Sequence, residues 1–193
     1  MAFFCLKNEN YFPKIILLNL KTNQTNFMKN IIIKNGLIGG FVIASSMIIG
    51  TYLCYNNPKG FEPSYAIGYG GMLLAFIFIY IGIEKYKNKI NNGKISFIKA
   101  LQVGSLITLV ISTIYVGVWL IEYYIFFPDF IEKYAQSVLS HTKPSDLADA
   151  TAKMDSYKEI YKNPVMIILL TFMEIVPMGL AITLISALIL KKK

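Results

Sequence analysis

Four blocks of uncharged, mostly apolar residues alternate along the chain with stretches that carry lysines or Pro and Gly. Asn35–Pro58 has 24 residues without a charge, Pro63–Ile83 has 21, and Ala100–Ile121 has 22. The 28 residues between Lys162 and Lys191 carry one charge, Glu174. At about 1.5 Å rise per residue, some 20 residues cross a hydrocarbon core of about 30 Å. The pattern predicts an all-α, integral membrane four-helix bundle with spans at about 33–55, 64–84, 98–127 and 164–190. The third span organises the rest. At 100° per residue, Gly104, Ser105, Thr108, Ser112, Tyr115, Trp119 and Glu122 share one face and Ile, Leu and Val fill the other. Such a helix is expected to face protein on its small and polar side and lipid on the other. Gly36, Gly40 and Ala44 in the first span, and Gly68, Gly71, Ala75 and Gly82 in the second, form further small-residue seams that let helix backbones approach.

The connections differ in kind. Residues 56–64, AsnAsnProLysGlyPheGluProSer, read as a tight link punctuated by Pro and Gly. Residues 84–99 hold five Lys and one Glu, with a turn at Asn91-Asn92-Gly93, where positive φ is tolerated. Residues 128–163 form a polar segment of 36 residues, near neutral with five Lys and six acids. Within it Asp129 and Glu132 have capping-box spacing for a helix to about Ser140, and Pro144-Ser145-Asp146 marks a second helix start. Pro164 suits the first turn of the last span. Residues 1–27 lack the layout of a signal peptide. They are expected to be a weakly structured extension ahead of a natural beginning at Met28, or a short interfacial helix, leaving 28–193 as the membrane domain.

Composition narrows the class. A hydrophobic content of 55% and a mean hydropathy of +0.52 are too apolar for an ordinary soluble domain of 193 residues. The net charge of +8 comes from lysines that flank apolar blocks. No basic face interleaved with aromatics is present, so the partner expected is the lipid bilayer and not nucleic acid. From Met28 onward, ten lysines fall on the side of the 84–99 loop and both chain ends, and six on the side of 128–163. The positive-inside rule then places both termini in the cytoplasm and 128–163 outside. Cys5, Cys54 and the lone His141 offer neither a disulfide framework nor a metal site, and no cofactor is expected.

The candidate chemistry is a polar group inside the membrane: Glu174, Glu122, Tyr115, Ser112 and Pro177. Glu174 lies ten residues past Pro164, about 15 Å deep, where a carboxyl is costly and marks a functional hypothesis. Pro177 removes the hydrogen bond to the Met173 carbonyl three residues from it, which predicts a kink. On an antiparallel third helix Tyr115 or Ser112 could satisfy the carboxyl. Two roles stand open, a structural clasp first and a proton or ion relay second. Glu122, beside Trp119, Tyr123 and Tyr124, is expected near the outer boundary, in contact with water. No GxSxG, HExxH or phosphate-binding Gly loop occurs, so no enzyme activity is expected. No inverted repeat of the kind that marks many secondary transporters is evident, so a transporter would have to be a small one or an oligomer.

MetLysAsnIleIleIleLysAsnGlyLeuIleGlyGly at Met28, AsnAsnGlyLysIleSerPheIleLysAlaLeuGlnValGly at Asn91 and SerThrIleTyrValGlyValTrpLeuIleGluTyrTyr at Ser112 resemble one family, as do TyrLysAsnProValMet and MetGluIleValProMetGlyLeu near the end. These stretches look like the uncharacterised four-span membrane proteins of Bacteroidota, a domain of unknown function. The resemblance covers about Met28–Lys193 and implies four spans in a bacterial inner membrane. The leading expectation is a structural or interaction subunit that meets a protein partner through 128–163. The alternative is a small proton- or ion-coupled transporter using Glu174. A water-accessible path to Glu174 separates the two, because a clasp would bury it against Tyr115 or Ser112.

Overall fold

The computed structural model describes residues 11–57, 61, 65–90 and 92–192, with side chains at 24–57, 61, 66–90 and 92–192. The first ten residues of the extension and most of the Pro/Gly link at 58–64 lie outside the described residues. Among the described residues, six α-helices follow in order: α1 Tyr11–Tyr55, α2 Tyr65–Ile90, α3 Phe97–Ile121, α4 Phe130–His141, α5 Leu147–Tyr161 and α6 Pro164–Leu190. A π-helical turn, Glu122–Phe126, continues α3, and a 3-10 turn, Pro144–Asp146, leads into α5. Four segments, Gln24–Tyr55, Ala66–Ile90, Phe97–Phe126 and Pro164–Leu190, are long and apolar enough to cross a membrane.

Two boundaries differ from expectation. Residues 11–27 are part of α1, neither weakly structured nor a separate helix. No Pro or Gly interrupts the run from Lys14 to Asn35, and Pro13 falls in the first turn, where it breaks no bond. α2 continues past Ile83 to Ile90, since Lys is a good helix former and its stem can reach the headgroups. It ends as foreseen at the Asn-Gly turn: Asn92 has φ 50° and Gly93 φ 80°. Gly93 N–H returns to the Lys87 carbonyl at 3.0 Å, six residues back, which closes the helix end. Ser96 then caps α3 by accepting from Lys99 N–H, and Asn163 caps α6 by accepting from Val165 N–H, with Pro164 next to it.

α2 and α3 touch along the short diagonal of the bundle, and α1 and α6 pack against both from opposite sides. The core at the centre is Phe76, Ile79, Ile83, Ile107, Ile111 and Ile175, all fully buried. α1 meets α2 and α3 through its glycines. A Cβ on Gly39 would come within 2.9 Å of the Ala75 carbonyl oxygen and 2.7 Å of Ile111, so the backbones approach as closely as they do only because it is absent. Thr108 on α3 and Thr183 on α6 share a buried hydrogen bond of 3.1 Å. The two-faced reading of α3 is too simple: Val103, Ile107 and Ile111 on its apolar side are also buried, because three helices surround it. Ile98, Gln102, Leu106, Leu109 and Thr113 remain exposed as a narrow strip. At the end opposite α4 and α5, buried Asn35 accepts from Lys85 Nζ at 3.2 Å and donates to the Ile31 carbonyl at 2.7 Å. A bridge between Ile95 and Lys192 ties the α2–α3 loop to the chain end.

Candidate functional site

At the α4–α5 end the small side chains no longer close the bundle. α1 and α6 lie across its long diagonal there, and Ser46 and Gly50 on α1 and Gly68 on α2 line the opening. The second-span seam divides here: Gly71, Ala75 and Gly82 are packed against neighbours, whereas among the described residues nothing lies within 4 Å of a Cβ built on Gly68. The result is a cavity of about 630 Å³, within the range of about 300–1,000 Å³ usual for small-molecule sites. α1 contributes Thr51 and Cys54 to its wall, α2 Tyr69 and Met72, α3 Tyr115 and Trp119, and α6 Thr171 and Glu174. α4 and α5 complete it with Phe130, Tyr134, Tyr157 and Tyr161.

The short helices α4 and α5 are held in place by aromatic and charged contacts. Phe130 packs edge-on against Trp119 with ring centroids 4.8 Å apart, and Tyr161 against Tyr123 at 5.1 Å. Tyr55, at the end of α1, donates to Asp129 Oδ1 at 3.0 Å, while Asp129 Oδ2 pairs with Lys133 at 2.9 Å. The Lys133 ammonium sits 4.3 Å from the Tyr55 ring centroid. Asp129 therefore does not act as the side-chain cap its spacing with Glu132 predicts; its carboxylate is turned to Tyr55 and Lys133. Bonding to Lys133 holds that carboxyl below the ordinary carboxylate range, helped by the Tyr55 hydroxyl. Burial pushes the Tyr161 hydroxyl up to about 12, and the charge of Glu174 adds to the shift.

Of the five sequence candidates, Glu174 and Tyr115 come together in the cavity wall. Glu174 is exposed, and no hydrogen bond reaches its carboxyl among the described residues. Neither expected clasp forms. Tyr115 makes no bond to it, and Ser112 is fully buried with its Oγ unpartnered. Pro177 sits inside α6, which stays helical from Pro164 to Leu190.

Glu122 requires a correction. It is not in contact with water but 3% exposed. Its Oε2 accepts from Thr51 Oγ1 at 3.1 Å, and its Oε1 has no partner among the described residues. α1 packs Thr51 against it, and the aromatic contact between Trp119 and Phe130 covers the neighbouring turn. The Glu122 carbonyl accepts from Phe127 N–H at 2.8 Å, the five-residue step of the π turn. Glu122 thus stands behind Thr51, which lines the cavity, and does not line it itself.

Thr51, Tyr69 and Tyr161 are site residues that the sequence reading passed over. Phe130 with Tyr134 and Tyr157 with Tyr161 left a signal, each pair being four apart on a short helix and so on one face. Chemically, one carboxylate among hydroxyls and rings can hold a proton or a cation. No group of three or more His, Cys, Asp or Glu placed to hold a metal occurs among the described residues.

No curated protein and no solved structure matches the chain. A family model described as "Protein of unknown function (DUF4199)" matches residues 34–192, and the chain belongs to that family.

Proposed function

We propose that this protein is a small transporter of a bacterial inner membrane, coupled to protons or ions through Glu174, with both termini in the cytoplasm and α4–α5 outside. The observation that carries the reading is the position of Glu174: exposed, free of hydrogen bonds among the described residues, and in the wall of a 630 Å³ cavity. A carboxyl inside a span is kept against its desolvation cost either by structural partners or by function, and the structural partners foreseen for it are not engaged. The lysine excess at the 84–99 loop and the chain ends supports the orientation. No catalytic step belongs to the proposal.

The test is proton and ion flux in liposomes for the wild type and Glu174→Gln, alongside thermal stability in detergent. Flux that disappears in a variant of unchanged stability is the expected result. Lost stability with no flux in either protein would return the carboxyl to a structural role. That second reading, a subunit that meets a partner through 128–163, draws support from α5, where Met154 is the one buried residue. It predicts that deleting flux-competent groups changes nothing while substitutions on the exposed face of α5 release a co-purifying protein.

A further inference from the structure

We propose that the ligand of this cavity is a lipophilic organic cation, a quaternary ammonium or phosphonium ion of drug size. The Glu174 carboxylate and the rings of Tyr115, Trp119 and Tyr161 would hold it. The proposal rests on the reading of Glu174 as a ligand-facing carboxylate and names the class of ligand it takes.

Charge gives the first reason. The chain carries a net +8, yet among the described residues the one formally charged side chain that lines the cavity is the negative Glu174. An anion entering there would lose its hydration and meet a carboxylate, whereas a cation would gain an ion pair. Size and wall chemistry then separate the cations. Calcium or magnesium needs about six oxygen ligands at 2.0–2.6 Å, and one carboxylate with scattered hydroxyls in 630 Å³ does not supply them. A proton alone needs neither the volume nor the rings. A bulky organic cation uses both, because it is weakly hydrated and its charge is attracted to the faces of Trp and Tyr. The rings come from four helices: Tyr69 on α2, Tyr115 and Trp119 on α3, Phe130 and Tyr134 on α4, and Tyr157 and Tyr161 on α5. The depth is also suitable. From Tyr157 and Tyr161 at the α5 end, the wall reaches Glu174, ten residues and about 15 Å along α6.

The same cationic chemistry could arrive on a lipid headgroup. An ethanolamine or choline headgroup, however, brings its phosphate within a few bonds of the ammonium, and among the described residues no lysine lines the wall to receive it. The free cation is therefore the occupant proposed.

Trp119 is the chain's only tryptophan, so its fluorescence reports on the cavity directly. The protein in phosphatidylglycerol nanodiscs is titrated with tetraphenylphosphonium and, separately, with neutral triphenylphosphine oxide. The expected result is saturable quenching by the phosphonium alone. Glu174→Gln should weaken it about tenfold or more. Tyr115→Leu should weaken it several-fold, while Tyr115→Phe, which keeps the ring, should stay within about twofold. The tyrosine pair gives an independent reading should the Glu174 variant fold poorly. Equal quenching by both probes, or affinity unchanged in Glu174→Gln and in Tyr115→Leu, would overturn the proposal. So would competition by phosphatidylethanolamine added to the nanodiscs, which would identify a headgroup as the occupant. Glu174-dependent ion flux without phosphonium binding would overturn the ligand class and leave the transport reading standing. Glu174-dependent phosphonium binding without any flux would support the class and overturn transport.

Discussion

Thr51→Val isolates the energetic role of the buried Glu122. The substitution keeps the shape of the side chain and removes the hydroxyl that donates to Glu122 Oε2 at 3.1 Å. That hydroxyl is the one hydrogen-bond partner of the carboxyl side chain among the described residues, since Oε1 has none. With Glu122 only 3% exposed, water does not replace the lost bond. The cost is then the desolvation penalty of an unsatisfied buried polar group, about 1–3 kcal/mol, rather than the smaller net worth of a hydrogen bond. For a chain of 193 residues this corresponds to a melting temperature lower by roughly 2–12 °C. The converse change, Glu122→Met, behaves differently. It removes both carboxyl oxygens, one already unpartnered, and leaves Thr51 free to donate to a carbonyl one turn back. It should be near neutral or stabilising. The double variant should recover most of what Thr51→Val loses, giving a coupling energy of about 1–2 kcal/mol in a double-mutant cycle. Thermal unfolding in detergent for the four proteins measures all of this. A neutral Thr51→Val together with a strongly destabilised Glu122→Met would refute the reasoning, because it would mean that the carboxyl is held by something other than Thr51.

Gly39→Ala and Gly68→Ala should move stability in opposite directions. The first drives a methyl towards the Ala75 carbonyl, a backbone atom that cannot step aside, and should destabilise by about 1–3 kcal/mol. The second meets nothing within 4 Å and should stabilise α2 by up to about 1 kcal/mol through helix propensity; thermal melts of the two variants check the contrast. Asp129 makes a pH-dependent contribution. Its folded carboxyl titrates below its ordinary value of 3.8, so its stabilisation is fully present above that value and is lost as the pH falls through the lower, folded one. The pair is solvent-exposed, so the effect should be small; wild type minus Asp129→Asn melting temperature, measured at pH 6 and again below pH 3.8, should shrink at the lower pH, and a constant difference would contradict the assignment.

The four spans were legible because length and hydropathy alone decide whether a helix can cross a bilayer, and the uncharged blocks are long. The Asn92-Gly93 stop and the two short helices of 128–163 were legible for local reasons, turn residues and helix starts. What failed depended on partners elsewhere in the chain. Asp129 has the spacing of a cap, but Tyr55, 74 residues away, and Lys133 take its carboxylate. Glu122 sits where an isolated span would meet water, but Thr51, 71 residues away, seals it in. The π turn at Glu122–Phe126 has no composition of its own to announce it. Glu174 stood out as a charge in an apolar run, yet the cavity around it is made by six helices, and no one of them carries its outline. A stripe of small residues reads the same whether it meets a neighbour, as Gly71 does, or opens onto space, as Gly68 does.

The most direct measurement is flux and stability on the same Glu174→Gln sample. Its carboxyl makes no hydrogen bond among the described residues, so the substitution removes no partner and should not lower stability. Proton or ion flux in liposomes should nevertheless be abolished. A variant that loses several degrees of melting temperature while neither protein moves ions would contradict the transport reading and make Glu174 a structural clasp after all.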